Sequence, residues 1–153
     1  MVTTVSGPEK AELAARAGAD LVVNYRTDSA ATEITGFSTG IDRVVEVAPA
    51  ANWELNMAVC ASGARIVVYS VDQPSLTVPL LPSLTTLVTI RFLLIYGAPP
   101  RALLDAARDV TTAAAAGALS PLPVHSFPLE RIAEAHEAVE DGVTGKVLID
   151  LRA

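Results

Sequence analysis

The sequence predicts an α/β fold, a parallel sheet with helices packed over it, and three observations carry that expectation. Short β-branched runs alternate with helix-forming stretches from the first residues onward. Ala, Val and Leu dominate a composition that is 51% hydrophobic but only 5% aromatic, which suits strands buried on both faces. At 153 residues the chain can bury one ordinary core, so a single domain over 1–153 is expected.

The elements follow in order. Residues 2–5 form a short strand, and in Ser6-Gly7-Pro8-Glu9 the serine is placed to cap a helix while Glu9 reaches back. Residues 11–17 propagate that helix until Gly18, and 21–24 make the next strand. Residues 27–40 hold a weakly specified helix and a glycine-bounded loop. A buried strand at 41–47 leads to Pro49, which opens a helix carrying Trp53, Met57 and Cys60 at helical spacing. That stripe reads as core, with Cys60 a buried packing residue. Residues 64–70 are a further strand, Pro74, Pro79 and Pro82 mark a long connection, and 87–96 is a strand rich in leucine and β-branched residues. Pro99-Pro100 starts a helix reaching about Ala116 and ended by Gly117, after which 124–127 is extended between Pro123 and Pro128. Residues 129–140 are amphipathic, with Leu129, Ile132, Ala133, His136 and Val139 on one face and His136 a structural histidine there. Residues 146–151 close the chain as a strand.

Charge and composition exclude several function classes. A net charge of −6 offers no broad attraction to phosphate backbones or anionic lipid, so neither nucleic acid nor a membrane is an expected partner. The longest apolar stretch, 87–96, is broken by Arg91 and falls short of the roughly 20 residues a membrane helix needs. One cysteine cannot form an internal disulfide, and with two histidines there is no zinc-site spacing. No basic patch followed by an apolar region marks a secretory signal, so a reducing, cytoplasmic setting is expected.

The ordered set Thr4-Val5-Ser6-Gly7-Pro8-Glu9-Lys10, Gly18-Ala19-Asp20, Asn24-Tyr25-Arg26, Phe127-Pro128-Leu129, Ala135-His136-Glu137-Ala138 and Gly145-Lys146-Val147 resembles the C-terminal, nucleotide-binding half of a medium-chain dehydrogenase/reductase. The subgroup it is most similar to is the NADPH quinone oxidoreductases, the zeta-crystallin-like proteins. The resemblance covers essentially the whole chain and implies a truncated Rossmann-like parallel sheet lacking its first strand and glycine-rich loop. No pair among the nine glycines has the Gly-x-Gly spacing that turns a backbone against a pyrophosphate. Relatives have an N-terminal catalytic domain, to which the last helix and strand, here 129–153, return.

The resemblance also implies site residues. The side chains around Ser6, Lys10 and Tyr25, with Arg26 beside them, would hold the adenosine 2′-phosphate of NADPH, since an ammonium and hydroxyl donors past adjacent strand ends suit a phosphate dianion. Read without the family, Ser6 is a cap, Lys10 a solvated side chain and Tyr25 a loop anchor. Val47-Ala48 and Tyr69-Ser70 map near the nicotinamide, although Pro49 stands where relatives often carry glycine. The 87–96 strand maps to a sheet edge that pairs with a twofold mate, so a homodimer is expected.

Removing the first strand from the order 3-2-1-4-5-6 removes the centre of the sheet and leaves its neighbours about 9.6 Å apart, twice the strand spacing. Each unsatisfied buried backbone group costs about 1–3 kcal/mol against a typical stability of about 5–15 kcal/mol. Three repairs are expected: the flanking strands close together, the 146–151 strand moves in, or another chain donates a strand. Two functions follow. One is a remnant of an NADPH-dependent quinone or alkene oxidoreductase that transfers hydride to a small-molecule substrate only with a partner polypeptide supplying the missing half, or as part of a larger native protein from which this chain is an excerpt. The alternative is a non-redox cyclase, isomerase or dehydratase, with Glu46 and Tyr69 as catalytic groups and Asp42 and His125 as further candidates, or a non-catalytic subunit. Glu46 lies among valines, where burial would raise its pKa toward that of a proton-transfer group, unless it is simply paired at the strand end.

Overall fold

The computed structural model describes residues 1–152, and strands and helices alternate along it. Strand β1 (Val2–Val5) leads to helix α1 (Pro8–Arg16), followed by β2 (Leu21–Asn24), α2 (Ala30–Phe37), β3 (Ile41–Glu46), α3 (Pro49–Val59) and β4 (Cys60–Val68). Then come α4 (Leu80–Thr86), β5 (Thr89–Phe92), α5 (Pro100–Ala115), β6 (Val124–Pro128), α6 (Ile132–Glu140) and β7 (Lys146–Asp150). Proline opens α1, α3 and α5 in the first turn, where its missing N–H would have had no helical partner.

All described strand pairings are parallel. β1 pairs with β2, β4 lies between β3 and β5, and β6 pairs with β7. Val5 stands opposite Asn24, Glu46 opposite Val68, and Val68 opposite Phe92, so each ladder ends level at its C-terminal side. This is an α/β, truncated Rossmann-like arrangement: two strands, a gap where the central strand belongs, then three more.

Helices rather than strands hold the two parts together. Val23 of β2, Ile34 of α2 and Val59 of α3 form one buried cluster, with Val2, Leu21, Ala30, Ile41 and Leu55 packed on it. A second cluster joins Trp53, Ile66 and Val68 to Val44, Met57, Cys60, Leu76, Val78 and Ile90. Full burial of side chains such as Val23 and Ile66 stabilises the fold by about 1.5–3 kcal/mol each. Gly40 lets the chain enter β3 close to β4, because a Cβ there would lie 2.8 Å from that of Ala61.

Several expectations are corrected. Ser6 does not cap α1: Gly7, in extended conformation, is the N-cap residue, and no side chain bonds the first turn. Cys60 is not on the helix but half-buried at the start of β4, because α3 ends at Val59 and Cys60 turns extended. The proline-marked connection contains α4, and the 87–96 strand contracts to β5, bounded by Leu87 in the left-handed region and by a 3-10 turn at Ile95–Gly97. His136 is exposed, and Ala135 is the residue of α6 that is buried. The stripe of Leu129, Ile132 and Val139 stays exposed because no layer covers it among the described residues.

Among the described residues neither internal repair of the missing centre is made. β1 and β3 do not pair, and β7 pairs with β6 instead of moving inward. A groove of about 660 Å³ runs between residues 1–4 and 41–47, with Ile34 and Phe37 of α2 and Leu55 and Val59 of α3 also lining it. Val44 faces the α3 side, so the next residue, Val45, faces the opposite side and is 74% exposed. The accessible surface is 10968 Å², against about 7,400 Å² for a compact monomer of this length.

Candidate functional site

The 2′-phosphate candidates gather at the C-terminal ends of β1 and β2. Ser6 follows β1 directly, and Lys10 lies in the first turn of α1. Tyr25 N–H donates to the Val5 carbonyl at 3.1 Å, which fixes the end of β2 beside that of β1. A tight turn then presents Tyr25 and Arg26. Asn24 N–H donates to Asp28 Oδ2 at 2.8 Å, Arg26 N–H donates to Asn24 Oδ1 at 3.1 Å, and the N–H groups of Thr27 and Asp28 reach the Asn24 carbonyl. Lys10, Tyr25 and Arg26 are exposed, Ser6 is half-buried, and among the described residues neither Lys10 nor Arg26 is in a salt bridge.

Glu9, beside Lys10 in the first turn of α1, accepts a bond at 3.1 Å from Thr144 Oγ1 in the loop before β7. The end of β1 therefore carries Ser6-Gly7 where an NAD-binding sheet carries the acid that grips a ribose hydroxyl. Two hydroxyls and two unpaired cations suit a phosphate dianion.

The second group lies past β3 and β4. Tyr69 N–H donates to the Glu46 carbonyl at 3.2 Å, so Val47-Ala48 and Tyr69-Ser70 leave adjacent strand ends together. Val47 and Tyr69 are each about half-exposed there. Glu46 is buried, at 4% exposure, as its valine neighbours imply. Its Oε1 accepts bonds from the N–H groups of Val47 and Ala48, both at 2.8 Å, and from Asn52 Nδ2 at 2.9 Å, while Oε2 accepts one from Asn56 Nδ2 at 2.6 Å. The carboxylate thus ties the end of β3 to the first two turns of α3.

Asp72 is the residue that sequence reasoning missed. Its carboxylate accepts bonds from Ala50 and Ala51 N–H at 3.3 and 3.0 Å, closing the start of α3 from the loop after β4. Desolvation pushes its pKa upward, but bonds from the backbone N–H groups of Ala51, Ala50, Asp72 and Gln73 outweigh it and hold the carboxyl below the usual aspartate value. Nothing local in Val71-Asp72-Gln73 signals this, because the partners lie more than 20 residues away. The Asn52 and Asn56 pair did carry a signal, being four residues apart on a helix that follows a strand-end acid. Of the remaining acid–base candidates, Asp42 is exposed on β3, and His125 Nε2 lies 3.1 Å from the Thr144 carbonyl in the separate β6–β7 unit.

A profile of the zinc-binding dehydrogenases matches residues 17–149. The chain belongs to the zinc-binding dehydrogenase family. Comparison with curated proteins gives no match. Among solved structures, a quinone oxidoreductase of Pseudomonas syringae pv. Tomato DC3000 superposes with a TM-score of 0.82 at 20% identity, over 97% of this chain and 48% of that one. CurA from Vibrio vulnificus, solved in complex with NADPH, gives 0.80 at 20% identity, over 99% and 49%. An NAD-dependent alcohol dehydrogenase gives 0.78 at 27% identity, over 98% and 43%. The chain spans less than half the length of these proteins, as a nucleotide-binding half alone would, and the medium-chain dehydrogenase/reductase resemblance holds along nearly all of it.

The groups such dehydrogenases use fit this chain unequally. Among the described residues no three His, Cys, Asp or Glu side chains converge to hold a metal, so the residues present do not fit a zinc ion. The donors after β1 and β2 have the chemistry a 2′-phosphate needs. The pyrophosphate has no such partner: the sequence has no Gly-x-Gly loop, the Val47 and Ala48 amides before α3 are taken by Glu46, and the first amides of α3, Ala50 and Ala51, by Asp72.

Proposed function

We propose that this chain is the nucleotide-binding half of an NADPH-dependent quinone or alkene oxidoreductase and does not transfer hydride on its own. The observation that carries the reading is that Ser6 and Lys10 follow β1 and Tyr25 and Arg26 follow β2 at the same end of the β1–β2 ladder, with no acid directly after β1. Bound NADPH supplies the hydride. The chain's own contribution is to hold the 2′-phosphate through Lys10 and Arg26, orient the adenosine by Tyr25, and offer Val47-Ala48 and Tyr69-Ser70 as the far wall. Contacts to the adenosine end alone are worth about 4 kcal/mol, a dissociation constant on the order of millimolar. A pyrophosphate loop and substrate domain, on a partner polypeptide or on the same longer chain, complete the site, and 129–153 is the segment that returns to that domain.

A homodimer is part of the same proposal. Support comes from β5 and the chain after it, where Phe92, Leu94, Ile95 and Tyr96 are exposed, and from α5, which has no buried residue while Leu104 and Val110 face solvent. A long apolar sheet edge left bare invites pairing. The setting proposed is the cytoplasm. Among the described residues no helix is long and apolar enough to cross a membrane.

The reading is tested by titrating the chain with adenosine 2′,5′-bisphosphate and following backbone NMR shifts. Shifts confined to residues around 6–10 and 24–28 support it. Uniform silence there, or shifts centred on β6 and β7, contradict it.

A further inference from the structure

Glu9 stands where it could spoil the site its neighbours make. It is the acid in the first turn of α1, beside Lys10, and no side chain caps that turn. A negative charge near a helix start is drawn to the N–H groups left free there. Folded back over the turn, the Glu9 carboxylate would lie among Ser6, Lys10 and the end of β1, and a phosphate dianion would have to displace it.

The structure turns that carboxylate away. Glu9 Oε2 accepts the bond from Thr144 Oγ1 at 3.1 Å, across 135 residues of sequence. Thr144 is half-buried, and the turn that carries it is fixed from both sides. Val143 N–H donates to the Ala138 carbonyl at 3.0 Å at the end of α6, and Lys146 N–H donates to the Pro123 carbonyl at 2.8 Å. His125 Nε2 lies 3.1 Å from the Thr144 carbonyl. Gly145 takes a φ of 132°, and a Cβ there would collide with the Pro123 carbonyl, so the turn is pressed against the chain entering β6. The acid in the turn after β2 is occupied in the same way: Asp28 Oδ2 accepts Asn24 N–H at 2.8 Å, and Oδ1 accepts the Thr27 hydroxyl at 2.9 Å. With these two carboxylates tied, Lys10 and Arg26 are left without a salt bridge among the described residues.

We infer that Thr144 is a positioning residue for the 2′-phosphate site: by holding the Glu9 carboxylate toward the loop before β7, it leaves Lys10 and Ser6 to an incoming phosphate. Thr144 acts through Glu9 and not on the nucleotide itself. Preference for NADPH over NADH then depends on the 129–153 segment, in which Thr144 lies, as well as on the ends of β1 and β2. The inference rests on the reading of Ser6, Lys10, Tyr25 and Arg26 as 2′-phosphate donors and adds the residue that keeps a neighbouring acid off them.

The test compares the full chain with Thr144→Val, Thr144→Ser and the double variant Thr144→Val, Glu9→Gln, using adenosine 2′,5′-bisphosphate and adenosine 5′-phosphate as probes in NMR titrations. Thr144→Val, which keeps the branched shape and loses the hydroxyl, should weaken the bisphosphate about threefold, the effect of one charge at a helix start, and leave the 5′-phosphate unchanged. Thr144→Ser should bind as the parent does, and Glu9→Gln should return the double variant to the parent affinity. Without nucleotide, amide exchange at Glu9 and Lys10 should be about threefold slower in Thr144→Val than in the parent, because the released carboxylate covers those groups, and the double variant should lose that protection. Unchanged bisphosphate affinity in Thr144→Val, equal weakening of both nucleotides, weakening that Glu9→Gln does not relieve, or unchanged ligand-free exchange would each overturn the inference. A parent chain that binds the two nucleotides alike, with the exchange difference present, would instead overturn the 2′-phosphate reading, and with it the role in selectivity, while the hold of Thr144 on Glu9 stands.

Discussion

Glu46 shows how one buried carboxylate can organise a strand-to-helix turn. Four donors converge on it, two from the backbone and two from Asn52 and Asn56. Glu46→Gln places an NH₂ group against those donors, and the expected cost is about 1–3 kcal/mol, read as a lower urea midpoint with an unchanged slope. The acid itself was legible in the valine run around it, whereas its side-chain partners, Asn52 and Asn56, were marked only by their four-residue spacing on the next helix. Asp72 acts from still further away. Its folded pKa is lowered, so the stability it contributes is present above the ordinary aspartate value and is lost as pH falls through the folded one. Asp20, held down by the Met1 ammonium, and Glu134, held down by Arg131, add to the same acid limb. Asp72→Asn should therefore flatten the loss of thermal stability below about pH 4 while the Asp20 and Glu134 share remains. At the phosphate candidates, Lys10→Ala and Arg26→Ala should each weaken adenosine 2′,5′-bisphosphate about tenfold, near the 1.5 kcal/mol of one charge-assisted bond, and leave adenosine 5′-phosphate unchanged.

Among the elements, the β1–α1–β2 unit was the most legible, because the turn residues Ser6-Gly7-Pro8 and Gly18 bracket a short alanine-rich helix. Helix α4 was not. Pro79 is its N-cap and Pro82 lies in its first turn, where proline interrupts no hydrogen bond, so residues that read as breakers are in fact helix starters. Strand β5 was legible as apolar but not in length: Leu93 N–H still reaches the Val68 carbonyl at 2.8 Å, and the chain then turns at Ile95. The exposed residues of that turn and of α5 form the proposed dimer surface. Leu94→Lys combined with Leu104→Glu is expected to give a monomer by sedimentation at concentrations where the parent chain is a dimer, with helix content unchanged. A parent chain that is monomeric at those concentrations would contradict the assignment.

Across the whole molecule, the chain exposes about half as much surface again as a compact monomer of its length, and exposed apolar side chains stand on α4, on the turn after β5, on α5 and on α6. Absence of the central strand was legible from the lack of Gly-x-Gly spacing, but the response to it was not. Two helices bridging beneath an open groove is a packing solution written in Ile34 and Val59, and no local pattern in either residue announces it. The same incompleteness underlies the proposed function, in which the 2′-phosphate end of the nucleotide has candidate donors and the pyrophosphate has none. The most direct measurement is titration of the purified chain with NADPH by fluorescence, with NADH as control and with quinone turnover followed in the same cell. The account predicts weak, NADPH-preferring binding on the order of millimolar and no turnover. Submicromolar NADPH binding, or turnover by the chain alone, would contradict it.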